Sequence, residues 1–159
     1  MRFALAAVVI CMAATKVLAG EVVHVELGPS INFSEPTETG TCHDNGTIWQ
    51  ANKDIELLPD EGGNGIGHWE QQFDATYASR TLGIIVQVDA LRAMDDGKLY
   101  LDFTVRNAVD RYTVFFQRLV YGSDQLVGLP SLIVAGFLNS NRPCPDGAGL
   151  QILGLSTRQ

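Results

Sequence analysis

The sequence lacks most of the features that identify a catalytic or cofactor-binding protein. It has three cysteines and three histidines in 159 residues, with no CxxC pair, no internal repeat and no low-complexity tract. It also has no run of Lys or Arg and no long stretch with helical spacing of apolar residues. These absences argue against a dithiol redox motif, a solenoid and a basic nucleic-acid-binding tail.

Basic residues are the scarcer charge type, with 11 Lys and Arg against 18 Asp and Glu, for a formal net charge of −7. Removing residues 1–19, which contain Arg2 and Lys16, leaves nine basic residues and a charge of −9. Such a surface repels nucleic acid and anionic membranes. We expect a protein partner or self-association, no nucleic acid, and no stable membrane insertion after signal cleavage.

The N-terminal segment is typical of a secretory signal peptide. Residues 1–19 have a basic start, an apolar run over 3–14 and a small residue, Ala19, before Gly20. The apolar run is shorter than the roughly 20 residues of a membrane-spanning helix. The sequence predicts cleavage after Ala19 and export to a periplasm or the extracellular space. The mature chain, residues 20–159, is long enough for one domain with a substantial core.

Two cysteines, Cys42 and Cys144, remain after that cleavage. In an oxidising compartment such a pair ordinarily forms a disulfide. The bridge would close a loop of roughly 100 residues, which stabilises the folded chain by at most about 4.7 kcal/mol in the chain-entropy treatment. We expect it to hold a long surface loop predicted over residues 28–46.

Short runs with a period of two, broken by Gly, Asn, Asp and Pro, predict an all-β fold. The preferred architecture is a small β-sandwich, and the alternative is a closed antiparallel β-barrel. Strands are predicted over 22–27, 47–51 and 126–130, with an irregular segment over 52–67 between them. The continuous apolar run over 131–138 indicates a strand buried on both faces.

A three-strand meander at the centre of the chain gives the sharpest prediction. The pair Asp96-Gly97 favours a two-residue turn, which sets Val88 opposite Val105. Continuing the pattern sets Phe103 opposite Val114. In this register four apolar side chains lie on the face away from the core: Tyr100, Phe115, Leu119 and Tyr121. We hypothesise that this stripe, or the loops adjacent to it, binds a protein partner, and the alternative is that another part of the chain covers the stripe.

A polar alternative site is formed by His68, Glu70, Asp89 and Asp102. His68 and Glu70 flank a tryptophan and could form an acid–base pair. Asp89 and Asp102 lie on one face of the predicted hairpin, where two carboxylates would suit glycosidic chemistry. Charged side chains on a solvated face explain the same pattern without catalysis. Whether the protein is an enzyme is left open, with binding preferred over a secreted carbohydrate-active or other hydrolytic activity.

Neither a metal site nor a cofactor site is indicated. The histidines fall at no spacing that would bring two ligands to one ion. The glycine-rich stretch Gly62–Gly67 has neither the lysine nor the strand–helix context of a phosphate-binding loop. Asn32 and Asn45 begin Asn-x-Ser/Thr sequons, which are glycosylation sites only if the source is eukaryotic.

Overall fold

The computed structural model describes residues 20–122 and 132–159, which form ten strands and no helix. The strands are β1 (Val22–Pro36), β2 (Cys42–Ile48), β3 (Ala51–Glu56), β4 (Leu58–Pro59), β5 (Gly65–Tyr77), β6 (Arg80–Arg92), β7 (Leu99–Asn107), β8 (Thr113–Tyr121), β9 (Leu132–Phe137) and β10 (Gly147–Arg158). They form two antiparallel five-stranded sheets that pack together. The predicted β-sandwich is confirmed, and the described strands close no barrel.

Sheet A is organised around β1, its longest strand. On one side β10 pairs with β1 from Val22 opposite Arg158 to Asn32 opposite Gly147. On the other side β3 pairs with the first half of β1 and β2 with the second half. β9 pairs with the far side of β10. Sheet B is a simple meander in the order β4-β5-β6-β7-β8.

The inner faces of both sheets build one hydrophobic core. Alternation places every second side chain inside, as Ile84, Val86 and Val88 show along β6. Each large apolar side chain buried in this way contributes about 1.5 to 3 kcal/mol. The largest fully buried side chains are Phe33, Phe103, Leu27, Ile31, Leu57, Ile84, Leu99, Leu101, Leu150, Ile152, Val23 and Val25.

Two glycines allow the sheets to approach closely at their edges. A Cβ at Gly67 would lie 2.6 Å from Ile55 Cγ2, where β5 meets β3. A Cβ at Gly136 would lie 2.7 Å from Val114 Cγ1 and 2.9 Å from its carbonyl oxygen, where β9 meets β8. Any other residue would force the strands apart at these positions.

The predicted irregular segments are wrong. The loop expected over 28–46 is instead the second half of β1 and most of β2, and the segment 52–67 contains β3, β4 and the start of β5. The strand predicted over 47–51 is interrupted at Trp49 and Gln50. The glycine, proline and polar residues of these segments favour loops when each is considered alone. In the structure, the burial of Ile31 and Phe33 and the pairing of β1 on both sides stabilise a strand instead.

The β6–β7 hairpin has the predicted faces but not the predicted turn. The connection runs from Ala93 to Lys98, whose carbonyl accepts from the Ala93 N–H, and Gly97 adopts φ 68°. Val88 therefore pairs with Phe103 instead of Val105. A shift of two residues leaves each side chain on its face, so the core assignment is retained although the partners change.

The register predicted for β8 is wrong by three residues, and an odd shift exchanges its faces. Phe103 pairs with Gln117, not Val114. A wider connection, with Arg111 at φ 60° and an irregularity after Val105, produces the shift.

The late strands also differ from expectation. β9 is the last strand of sheet A and alternates between half-buried and exposed residues, so it is not buried on both faces. Its continuous apolar run was misleading because Ile133 and Phe137 are exposed. The predicted signal peptide, residues 1–19, and the strand predicted over 126–130 lie outside the described residues.

Candidate functional site

An exposed apolar row crosses the outer face of sheet B. Direct pairing aligns one side chain from each of its five strands in this row: Leu58, Ile66, Leu91, Tyr100 and Val120. The four aliphatic members are between 36% and 58% exposed. Paired side chains on one sheet face lie about 5 Å apart, so the row is continuous. Hereafter it is called the apolar row.

A charged row runs beside it, two residues further along each strand. It consists of His68, Asp89, Asp102 and Arg118, which pair directly across β5, β6, β7 and β8. The order places two carboxylates at the centre and a basic side chain at each end. Like charges directly opposite each other on neighbouring strands are unfavourable unless they are compensated.

The carboxylate of Asp89 is held from two sides. Its Oδ1 lies 2.7 Å from Nδ1 of His68, and its Oδ2 accepts a 2.5 Å hydrogen bond from Nε2 of Gln87. All three residues belong to neighbouring positions of β5 and β6, so the sheet itself fixes this arrangement.

The second carboxylate, Asp102, is held by Arg118 through two parallel bonds. Nε and Nη2 of Arg118 donate to Oδ1 and Oδ2, each at 2.7 Å. These bonds raise the pKa of the guanidinium above its ordinary value. Such a bidentate pair fixes orientation as well as charge.

Tyr100, a member of the apolar row, is held in place by contacts with two neighbouring side chains. Its hydroxyl donates a 2.7 Å hydrogen bond to Oδ2 of Asp96, which raises the pKa of the tyrosine and lowers that of the aspartate. The guanidinium of Arg118 lies 5.9 Å from the centre of its ring. A ring held by a hydrogen bond and a guanidinium contact loses less conformational entropy when a ligand packs against it.

All members of the two rows except Val120 line an open groove of about 620 Å³. Glu56 and Pro59 complete its wall on the β4 side. This volume lies within the range of small-molecule and cofactor sites. The groove therefore combines apolar contact area with a small set of oriented charged groups.

The structure brings together three of the four residues predicted as a polar site. His68, Asp89 and Asp102 line the groove, whereas Glu70 does not. Glu70 lies further along β5, with its carboxylate 3.9 Å from both Arg106 and Arg111. The corrected hairpin register is the reason for the grouping, because it sets Asp89 directly opposite Asp102.

The predicted aromatic stripe is divided between the two faces of sheet B. Tyr100 lies on the outer face and lines the groove. Phe115 and Leu119 pack against the core, and Tyr121 belongs to it. The outer positions of β8 are instead taken by exposed Phe116, Arg118 and Val120. A role of the stripe in binding a partner stays a prediction.

Sequence reasoning missed Leu58, Ile66, Leu91 and Arg118. One signal was available for Arg118, since a basic residue in an apolar strand marks the solvent side of that strand. Following it would have set Phe116 and Val120 outside, as the structure does. Leu58 and Ile66 could not be found, because the segment containing them was read as irregular.

A second cluster of carboxylates and basic side chains lies at the other end of the sandwich, around one buried carboxylate. The carboxylate of Asp146 is fully buried and accepts hydrogen bonds from the Ser34 N–H at 2.9 Å, Arg80 at 2.7 Å and Arg142 at 2.9 Å. Burial alone would raise its pKa, but bonds from Arg80, Ser34 and Asn139 lower it to about 2. Glu35 pairs with both arginines. This is the buried ionic cluster.

The predicted disulfide lies beside that cluster. Cys42 at the start of β2 and Cys144, two residues before Asp146, are bonded with their Cα atoms 5.7 Å apart. Cys144 is buried. A disulfide of this kind is consistent with an oxidising compartment.

The outer face of sheet A offers a different surface. A shallow groove of about 400 Å³ has small residues such as Ser30, Gly147 and Gly149 among its lining, beside exposed Ile133 and Phe137. Asn32, one of the two sequon asparagines, also lines it. Asn45, the other, is half-buried on β2.

A third group of charged side chains is exposed on sheet A. Nδ1 of His24 lies 2.6 Å from Oδ1 of Asp54, and this bond lowers the pKa of the aspartate. Arg158 pairs with the other oxygen of the same carboxylate. Across residues 20–122 and 132–159 no group of three or more His, Cys, Asp or Glu side chains is arranged to hold a metal ion. In the same residues no helix is long and apolar enough to cross a membrane.

No protein-family model, curated protein or solved structure matches this chain.

Proposed function

We propose that this is an exported binding protein that recognises a protein partner through the outer face of sheet B. The observation that carries the proposal is the apolar row, in which five neighbouring strands each present an apolar or aromatic side chain to solvent. Contiguous apolar surface of this kind is uncommon on monomeric proteins unless it is used. The charged row beside it supplies the orienting polar contacts that such interfaces carry at their edge.

Aliphatic composition favours a protein partner over a sugar. Leu58, Ile66, Leu91 and Val120 offer flexible apolar contact, and Tyr100 is the one aromatic ring in the row. Sugar sites rely on flat aromatic faces, whereas protein interfaces combine aliphatic area with aromatic and arginine anchors. Tyr100 and Arg118 supply anchors of that type.

Export is supported by residues 1–19 and by the Cys42–Cys144 disulfide. Mass spectrometry of protein recovered from its own host tests it. We expect a chain that starts at Gly20 and is two hydrogens lighter than the reduced form. An intact N-terminus or two free thiols would contradict export by this route.

A matched pair of variants tests the binding face. Ile66→Glu places a charge in the apolar row, and Ile133→Glu makes the same change at an exposed isoleucine of sheet A. Capture of partners from the host should be lost for Ile66→Glu and kept for Ile133→Glu, with both variants melting near the wild-type temperature. Binding that survives Ile66→Glu, or is lost only with Ile133→Glu, would reject this face.

A hydrolytic activity is the second candidate, because His68 lies 2.7 Å from Asp89 and Asp102 stands directly opposite. Two carboxylates on facing strands are the minimum for glycosidic chemistry. Against it, both carboxylates already accept hydrogen bonds from His68, Gln87 and Arg118. Turnover of chromogenic glycosides that disappears in both Asp89→Asn and Asp102→Asn would favour this candidate. Turnover no faster than buffer would remove it.

A further inference from the structure

We infer that the groove on sheet B binds an extended peptide segment of the partner that carries one Lys or Arg between apolar side chains. The basic side chain lies over Asp89 and Asp102, and its apolar neighbours pack on the apolar row. This inference rests on the proposed function and specifies the chemistry of the partner.

The length of the groove fits a short extended segment. The apolar row spans five strands, and neighbouring strands are about 4.8 Å apart, so its ends are roughly 19 Å apart. An extended chain advances about 3.3 Å per residue, so about six residues cross the sheet. The two rows are two residues apart along each strand, or about 6.6 Å, which is within reach of side chains from one such segment.

The negative charge of the groove favours a basic side chain at the centre of the bound segment. The groove lining contains three carboxylates, Glu56, Asp89 and Asp102, against Arg118 and a histidine. Arg118 offsets one of these charges from the β8 end of the row, so negative charge remains beside Asp89 and Asp102. A cation placed there offsets the repulsion of a like-charged pair. The surplus of acidic residues in the whole chain attracts the same partner at longer range.

The same pattern disfavours a second copy of this chain as the occupant. If two copies met face to face about a two-fold axis, the charged row would meet its own reverse. Asp89 would then oppose Asp102 of the other copy, so that four carboxylates would meet at the centre of the interface. Opposed like charges cost binding energy.

Peptide selection with three proteins tests the inference. Random 12-residue peptides displayed on phage are selected on wild-type protein, on the double variant Asp89→Asn/Asp102→Asn, and on Ile66→Glu. We expect wild-type protein to enrich peptides with Lys or Arg beside aliphatic or aromatic residues. The double variant should lose the basic preference, and Ile66→Glu should enrich none of these peptides.

A synthetic copy of the most enriched peptide gives the quantitative measurement. Replacing its arginine by citrulline, or its lysine by norleucine, should weaken binding to wild-type protein at least about tenfold, with little effect on binding to the double variant. Melting curves confirm that each variant is folded.

The outcomes separate this inference from the proposed function. Peptides that are neutral or acidic, yet depend on Ile66, would overturn the basic segment and leave the binding face in place. Peptides that bind all three proteins equally would reject the face and the segment together. Enrichment of no peptide by any of the three proteins would contradict binding of a short extended segment.

Discussion

The molecule contains two clusters in which a pair of carboxylates meets basic side chains, and they are built in opposite ways. In the buried ionic cluster Asp146 is fully enclosed and accepts from a backbone N–H as well as from two arginines. In the charged row Asp89 is 43% exposed, and its hydrogen-bond partners are side chains on the same open face. One cluster connects segments of the chain, whereas the other presents charge beside exposed apolar area. Burial and backbone donors thus distinguish a structural ionic group from a candidate binding group.

Removing the buried carboxylate should have the largest effect on stability. Asp146→Ala leaves Arg80 and Arg142 without their central partner and the Ser34 N–H without an acceptor. We expect a loss of about 3 to 5 kcal/mol in the free energy of unfolding, measured with urea. The matched change Asp102→Ala should cost at most about 1 kcal/mol, because its partner Arg118 is 55% exposed. Equal losses in the two variants would remove the distinction between the clusters.

Removing the disulfide should disturb the buried ionic cluster and leave the charged row unchanged. The double variant Cys42→Ser/Cys144→Ser should lose about 2 to 4 kcal/mol, since its denatured state is no longer cross-linked. In amide NMR spectra the shifts that change should surround Asp146, two residues from Cys144, while those of the charged row stay in place. Changes spread evenly over both clusters would show that the two ends of the sandwich are coupled.

A neighbouring pair of phenylalanines tests the register that places the charged row in solvent. Phe115 packs against the core and Phe116 is 53% exposed on the outer face. Phe115→Ala should cost about 2 to 3 kcal/mol, less than a fully buried ring. Phe116→Ala should cost little, as surface changes do. The reverse order would restore the register predicted from the sequence and move Arg118 away from Asp102.

Acid should weaken the buried ionic cluster within a defined pH window. The pKa of Asp146 is about 2 in the folded protein and 3.8 for the ordinary side chain. A lowered folded pKa stabilises the protein above pH 3.8, and this stability is lost as the pH falls towards 2. The loss should be about 2 kcal/mol, measured by urea unfolding at each pH. The Asp146→Ala variant should not show this loss of stability between pH 3.8 and 2. If its stability falls with pH as much as that of the wild-type protein, the loss originates in other carboxylates.

Much of the fold follows from alternation along single strands. The all-β class, the inner face of β6 and the inner face of β7 are set by a period of two, which local sequence carries directly. The two-residue error in the β6–β7 hairpin has the same origin, because the pattern fixes faces but not partners. Asp96-Gly97 correctly marks the region of the turn, but the turn has four residues, 94–97, between Ala93 and Lys98 instead of the predicted two.

The candidate site could be predicted only in part. Asp89 and Asp102 are predicted because each is a polar residue in an alternating strand, and His68 because it lies beside a tryptophan. The apolar row was not found, because Leu58 and Ile66 gain their position from pairing that no local pattern encodes. The face of β8 depended on the length of the connection from Asn107 to Tyr112, where one residue adopts a left-handed conformation at Arg111. A register error of an odd number of residues exchanges the two faces of the strand, whereas an error of an even number keeps each side chain on its face.

The long strand β1 has a consequence for the order in which the protein can fold. It leaves the ribosome before the other described strands, but β10, which pairs with it from Val22 opposite Arg158 onward, is synthesised after them. Until then β1 has one unpaired edge, a state that favours association with other chains. Contacts so distant in sequence also slow folding. Sheet A is therefore completed only after β10 has been made, and a nascent chain that still lacks β10 should remain accessible to chaperones and proteases.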